Sequence, residues 1–231
     1  MQEQSAVVIV AAGASRRMGR DKLWIPLAGR IVLARTVDVF QSSPLVDAIV
    51  LVTSAQRLEE VRALCEREQW QKVVAVVPGG NRRQDSVCCG LDTLAEQVPD
   101  CRWVMVHDAA RPFVDEEMIA AGLRAAQLSR ASIAAVPVKD TIKQVQDNVI
   151  TATPDRSQFW MVQTPQVFSF PLIHHAHHTR EAQDDMTDDA TLLERLGETV
   201  TIFPGAYTNI KVTTEEDVIF AEALLQNRGK K

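Results

Sequence analysis

The sequence predicts an α/β domain: a single, doubly wound, mostly parallel sheet with a β-hairpin arm projecting from it. Three observations carry this. Short apolar runs recur along the chain, helix-patterned stretches separate them, and one polar segment breaks the alternation. Runs apolar on both faces suit strands buried in a parallel sheet, and a strand–helix–strand order is that of βαβ units.

The apolar runs are residues 6–10, 48–52, 73–77, 103–106 and 133–136. Between them, Val32, Leu33, Thr36, Val37 and Phe40 share one side of a helix, and Leu58, Val61, Leu64 and Cys65 share another. Val87, Leu91, Leu94 and Val98 form a third stripe, with Asp85 or Ser86 as its expected N-cap. Asp115 is placed to cap a helix carrying Ile119, Leu123 and Ala126. Thr214-Glu215-Glu216-Asp217 reads as a capping box, with Asp for the usual Glu, ahead of Val218, Phe220, Ala221 and Leu224. The break in the rhythm is residues 139–153, two polar-rich strand-like pieces around Asp147-Asn148, a pair suited to a tight hairpin turn. It has too few large apolar residues to bury both faces alone. The reading is one domain over residues 1–231, with 139–157 an arm that packs on a partner subunit.

The 231 residues suffice for one sizeable core, and 46 % hydrophobic with 24 % charged residues excludes wholesale disorder. No apolar run approaches the ~20 residues that span a bilayer. The short polar stretch before the first run leaves no room for a targeting peptide, so the chain reads as cytoplasmic, with no membrane partner. A net charge of -5 argues against nucleic acid as partner, so anionic ligands must be held by local basic clusters. The cysteines Cys65, Cys88, Cys89 and Cys101 form no C-x-x-C pair and read as reduced thiols. Adjacent Cys88 and Cys89 point to different faces of a helix, which argues against a shared metal.

Ligands of doubly wound sheets lie beyond the carboxyl ends of the strands. The first run leads into Ala11-Ala12-Gly13-Ala14-Ser15-Arg16-Arg17-Met18-Gly19-Arg20-Asp21-Lys22. Its small residues let backbone N–H groups approach an anion, and Arg16, Arg17, Arg20 and Lys22 add positive charge. Neither a Walker loop nor a dinucleotide fingerprint is present, and the loop reads as a triphosphate site. After residues 73–77 comes Pro78-Gly79-Gly80-Asn81-Arg82-Arg83-Gln84-Asp85-Ser86, where Gly-Gly permits a tight turn or close approach before a helix N-terminus. After residues 103–106 comes His107-Asp108-Ala109-Ala110-Arg111-Pro112, in which Asp108 is placed to hold Mg²⁺ against phosphate oxygens. His107 has no second His at ligand spacing and reads as structural. His174-His175-x-His177-His178 looks like a metal cluster, but no Cys or carboxylate completes it nearby, and it reads as solvated helix surface. Thr187-Asp188-Asp189 reads first as a capped helix start.

Taken in order, these segments resemble the 2-C-methyl-D-erythritol 4-phosphate cytidylyltransferases of the non-mevalonate isoprenoid pathway. The resemblance also rests on Pro137-Val138-x-Asp140-Thr141-Ile142-Lys143, Arg156, Thr164-Pro165-Gln166 and Asn209-Ile210-Lys211-Val212-Thr213. It covers nearly the whole chain and implies a Rossmann-like nucleotidyltransferase fold that moves CMP from CTP to the sugar phosphate. By this resemblance Ala11, Ala12 and Gly13 would approach the nucleotide; Gly80, Asn81 and Ser86 would select cytosine; and Arg83 would support that loop. Arg17 and Lys22 would hold the triphosphate, Asp108 would place Mg²⁺ or another divalent cation, and Arg156 and Lys211 would position the sugar phosphate. Arg111, Asp140, Thr141 and Thr164 would lie near that substrate, with Thr141 and Arg156 supplied by the neighbouring subunit of a homodimer. The family's usual Pro before the lysine is here Asp21, its frequent Asp at position 81 is Asn81, and Thr208 stands at an often acidic position.

Three other readings compete. A ribitol 5-phosphate cytidylyltransferase shares the fold and chemistry but often differs after the Asp of His107-Asp108-Ala109-Ala110. A molybdopterin nucleotidyltransferase explains only the first loop. A non-catalytic nucleotide-binding regulator leaves Arg17, Lys22, Asp108, Arg156 and Lys211 together without a purpose.

Overall fold

The computed structural model describes residues 3–13 and 21–228. In chain order its strands are β1 (Gln4–Ala11), β2 (Pro26–Leu27), β3 (Arg30–Ile31), β4 (Ala48–Thr53), β5 (Val73–Pro78), β6 (Cys101–Asp108), β7 (Ala131–Pro137), β8 (Gln144–Gln146), β9 (Val149–Ala152), β10 (Trp160–Ser169) and β11 (Thr201–Pro204). The helices are α1 (Val32–Ser42), α2 (Leu58–Glu68), α3 (Arg83–Gln97), α4 (Glu116–Ser129), α5 (Phe170–His177), α6 (Asp189–Arg195) and α7 (Glu215–Arg228).

Among the described residues seven strands form one mixed, mostly parallel sheet in the order β11-β7-β10-β6-β1-β4-β5. All run the same way except β10, which lies antiparallel between β6 and β7. The five apolar runs became β1, β4, β5, β6 and β7. For β1, β4, β6 and β7 this unbroken apolarity has a simple cause, since both faces of the sheet are covered there, whereas β5 lies at the sheet edge and buries only Val76. Along β1, Val7 and Ile9 enter one core with Phe40, Leu51 and Phe113, while Ala6 and Val8 enter the other with Val50, Leu91 and Phe168. β10 escaped the apolar pattern because Gln163, Thr164, Pro165 and Gln166 interrupt it, and its register on β7 shifts there. β11 is only four residues long.

Helix caps follow the sequence with one correction. Asp115 accepts the Met118 N–H at 2.9 Å. Thr214 and Asp217 form the expected box, each accepting the other's backbone N–H. For α3, however, the N-cap is Arg82, not Asp85 or Ser86. Asp85 sits at the third helical position and its carboxylate accepts the Arg82 N–H at 3.0 Å. The reason is the preceding loop. A Cβ on Gly80 would fall 2.4 Å from the Asp85 Cβ, and one on Gly79 would fall 2.5 Å from the Ser86 Oγ. Two glycines thus let the chain fold tightly onto the first turn, and the helix starts earlier.

β8 and β9 form a separate two-stranded hairpin. Asp147 and Asn148 turn it with φ of 50° and 63°, the left-handed pair that matches strand twist. Every residue from 144 to 152 is exposed, so the hairpin stands off its own domain. Its root is anchored: Arg156 donates to the Lys139 carbonyl at 2.7 Å, and the Lys139 ammonium lies 3.4 Å from the Tyr207 ring centroid. No helix among the described residues is long and apolar enough to cross a membrane.

Candidate active site

The carboxyl ends of β1 and β6 open onto a cleft of two chambers. The first, of roughly 300 Å³, is lined by Ala11, Ala12, Gly13, Lys22, Gly80, Asn81 and Ser86. The second, of roughly 250 Å³, is lined by Arg111, Thr164, Gln166 and Asp188 among others. Arg83, Asp108 and Lys211 border both and form the seam between them. Among the described residues nothing lies within 4 Å of a Cβ placed on Gly13. Lys22 begins a short 3₁₀ turn, Lys22–Trp24, capped by Asp21, whose carboxylate accepts the Leu23 N–H at 3.1 Å. The departure from proline at position 21 therefore supplies a cap that orders the lysine.

Asp108 is the last residue of β6. Its Oδ2 lies 2.7 Å from the Lys211 ammonium and its Oδ1 lies 3.4 Å from Arg83. Burial opposes its ionisation, but Arg83 and Lys211 outweigh burial and hold the carboxyl far below the usual carboxylate range. Arg83 also binds Asp189 at 2.7 Å, and Asp189 in turn meets His177 at 3.2 Å. Asp189 is buried, and the same contest between burial and Arg83 leaves it ionised. One arginine thus bridges two buried carboxylates, which keeps the seam charged and rigid.

A second network sets the floor. The Asp108 N–H donates to the Thr164 Oγ at 3.1 Å. Thr164 Oγ lies 3.1 Å from His107 Nδ1, and His107 Nε2 lies 3.1 Å from the Arg111 carbonyl. A carbonyl only accepts, so Nε2 carries the proton and Nδ1 accepts from the threonine. Burial pushes the His107 imidazole down to about 4, so it is neutral at physiological pH and serves as a structural bracket. That is the role its sequence context suggested. Arg111 donates to the Asn209 carbonyl at 2.8 Å, and Asn209 donates to the Thr164 carbonyl at 2.9 Å. Among the described residues the Arg111 Nε, the Gln166 Oε1 and the Asn209 Oδ1 are buried without a hydrogen-bond partner.

The sequence-predicted residues therefore divide. Ala11, Ala12, Gly13, Lys22, Gly80, Asn81, Arg83, Ser86, Asp108, Lys211, Arg111 and Thr164 meet in the cleft. Asp140, Thr141 and Arg156 lie on or at the foot of the exposed arm and line neither chamber. Arg17 lies outside the described residues.

A model of the family described as "IspD: 2-C-methyl-D-erythritol 4-phosphate cytidylyltransferase" matches residues 5–227. The chain belongs to this family. It is a cytidylyltransferase of the non-mevalonate isoprenoid pathway, acting on 2-C-methyl-D-erythritol 4-phosphate. A 2-C-methyl-D-erythritol 4-phosphate cytidylyltransferase of Dehalococcoides mccartyi strain 195 is 46 % identical, with 98 % of each chain covered. One of Alkaliphilus oremlandii is 44 % identical, over 97 % of this chain and 96 % of its own. The crystal structure of a 4-diphosphocytidyl-2C-methyl-D-erythritol synthase from Anaerococcus prevotii superposes with a TM-score of 0.85 at 33 % identity, covering 97 % of this chain and 96 % of that one.

Within this family member, three supporting residues escaped the sequence reading. Gln84 donates to the Ala182 and Asp184 carbonyls at 3.0 and 2.7 Å, and accepts the Met186 N–H at 3.1 Å, stapling that segment to α3. Asp189 and His177 are buried behind Arg83. Asp188 does cap α6 as expected, accepting the Thr191 N–H at 3.0 Å, but its neighbour is a core anchor. The His cluster is corrected likewise: His177 is 6 % exposed, because it sits inward on α5 against Asp189.

Proposed function

We propose that the first chamber takes CTP, the second takes the phosphate end of 2-C-methyl-D-erythritol 4-phosphate, and transfer occurs at the seam. The observation that supports this is the meeting of both chambers at Asp108 and Lys211. In this reading Ala11, Ala12 and Gly13 pass close to the nucleotide, and Gly80, Asn81 and Ser86 select cytosine. Lys22, with Arg17, neutralises the triphosphate. Lys211 and Arg111 receive the sugar phosphate, with Thr164 holding the wall behind them. Arg83 serves by keeping Asp108 ionised and in place.

The substrate's phosphate oxygen attacks the α-phosphorus of CTP and forms the new P–O bond. The bond from the α-phosphorus to the bridging oxygen breaks, and pyrophosphate leaves with that electron pair. The attacking phosphate is already anionic, so no strong general base is needed. The chain's work is alignment and neutralisation of charge on the non-bridging oxygens.

Asp108 fits a divalent cation: it is ionised, it borders both chambers, and a carboxylate held by two cations keeps lone pairs to spare. One carboxylate completed by substrate phosphates is a normal Mg²⁺ environment. When bound, the ion supplies charge neutralisation for the triphosphate.

The same reading makes the enzyme a homodimer. The arm exposes Val145, Val149 and Ile150 at 54, 64 and 60 %, and the strand after it exposes Trp160 and Met161. Such an apolar stretch calls for a protein surface, and a partner's cleft would then receive Asp140, Thr141 and Arg156. The four cysteines are free thiols, which suits the cytoplasm. A pyrophosphate-release assay with CTP tests the acceptor. 2-C-methyl-D-erythritol 4-phosphate is expected to support turnover and ribitol 5-phosphate to support far less; equal rates would overturn the assignment of the second chamber.

A further inference from the structure

Outside the cleft, two helices bring together four metal-ligating side chains that the sequence separates by more than eighty residues. Cys88 and Asp92 stand four apart on α3, and His174 and His178 stand four apart at α5 and its C-cap. Residues four apart share a helix face. The donor atoms of Cys88, Asp92 and His178 all lie within 4.8 Å of one another. The Cys88 Sγ is 3.7 Å from the Asp92 Oδ2, and both His174 Nε2 and His178 Nε2 approach the Asp92 Oδ1, at 3.1 and 3.2 Å. Donors around a tetrahedral zinc ion, at ~2.0–2.3 Å from the metal, stand about 3.3–3.8 Å apart. Cys88, Asp92 and His178 already stand near that spacing, and His174 joins them through its 3.1 Å approach to Asp92.

The second nitrogen of His178 decides which lone pair is available. Its Nδ1 lies 2.8 Å from the His174 carbonyl, which can only accept, so Nδ1 carries the proton. With Nδ1 so committed, Nε2 faces the Asp92 carboxylate at 3.2 Å, an approach that a shared cation between them, a proton or a metal ion, accounts for. A backbone carbonyl on the far nitrogen is also the support that metal-bound histidines commonly have.

We infer that Cys88, Asp92, His174 and His178 form a transition-metal site, best suited to Zn²⁺, that clamps α3 to α5. One thiolate, one carboxylate and two imidazoles match zinc; Mg²⁺ prefers all-oxygen shells. Cys89 is not among the converging donors. The clamp lies on the same helix whose first turn carries Arg83 and Ser86, and on the same helix as His177, so it braces the seam of the cleft from behind.

The test uses untagged, reduced, chelator-treated protein with Co²⁺ as the spectroscopic probe and Mg²⁺ in excess to fill the phosphate site. One Co²⁺ per chain is expected, with a thiolate-to-cobalt charge-transfer band that Zn²⁺ abolishes on displacing it. Cys88→Ser removes the band, and Asp92→Asn or His178→Gln weakens binding by at least about tenfold. Asp108→Asn leaves all of this unchanged. Absence of the band in wild type, or binding insensitive to Cys88→Ser and His178→Gln, overturns the site and leaves a proton as the shared cation. Because the half-exposed His178→Gln variant leaves the core alone, it decides the matter even if Cys88→Ser folds poorly.

Discussion

Asp108 and Asp189 are buried, and each meets Arg83 within the chain, whereas every residue of the arm from 144 to 152 is exposed. The two regions treat charge in opposite ways. In the cleft, carboxylates are dehydrated and kept ionised by cations packed against them, so the charges are already aligned before any ligand arrives. On the arm, polar side chains remain in water and apolar ones lie exposed beside them. A preorganised cleft and an arm that, in the proposed dimer, is completed by a partner make different predictions.

The largest effect is expected for Arg83→Ala. It removes the guanidinium shared by two buried carboxylates, leaving Asp108 only Lys211 and Asp189 only His177, and should cost about 3–5 kcal/mol of stability in denaturant unfolding. The pH dependence has a definite sign. Asp108 and Asp189 are depressed in the folded protein, so their contribution is present above the ordinary carboxylate range. It is lost as pH falls below about 4, and Arg83→Ala should flatten that loss. A variant as acid-sensitive as wild type would break the picture of the seam.

Lys22→Ala comes next: turnover should fall by ~10²–10³ with the melting temperature unchanged. Near-normal turnover would remove Lys22 from the chemistry. The division between cleft and arm is then tested by mixing inactive Lys22→Ala and Arg156→Ala proteins. If sites are shared across a two-fold dimer, random exchange restores about a quarter of wild-type activity. No recovery after demonstrated subunit exchange would place both residues in one site or in none.

A smaller effect is expected for Val149→Asp, which should shift the protein toward monomer in sedimentation and weaken sugar-phosphate handling while CTP binding survives. Equal loss of CTP affinity would mean that the arm serves the first chamber too. The smallest is Asn148→Ala, which removes the short polar side chain that eases the left-handed backbone there and should cost the turn about 1 kcal/mol. It should change acceptor KM a few-fold and leave the unfolding of the domain unmoved.

Much of the fold was legible because strands and helix caps are local. The runs at 6–10, 48–52, 73–77, 103–106 and 133–136 became sheet strands, and Asp115, Thr214 and Asp188 cap the helices they precede. Most of the cleft was legible for a related reason: in a parallel sheet the loops after strands gather at one edge, so residues following the first, third and fourth runs had to meet. Only tertiary structure decided what stands behind them. Arg83 finds Asp189 across 106 residues, and His174 finds Asp92 across 82. No periodicity links such partners, because their meeting depends on how α3, α5 and α6 pack. The antiparallel β10 was hidden for the same reason: its polar centre faces the cleft, and burial there is purchased by hydrogen bonds from other elements instead of by apolar side chains of its own. Sequence determined the strands, their loops and the charges those loops carry; packing determined which charges are paired, and which wait for a partner.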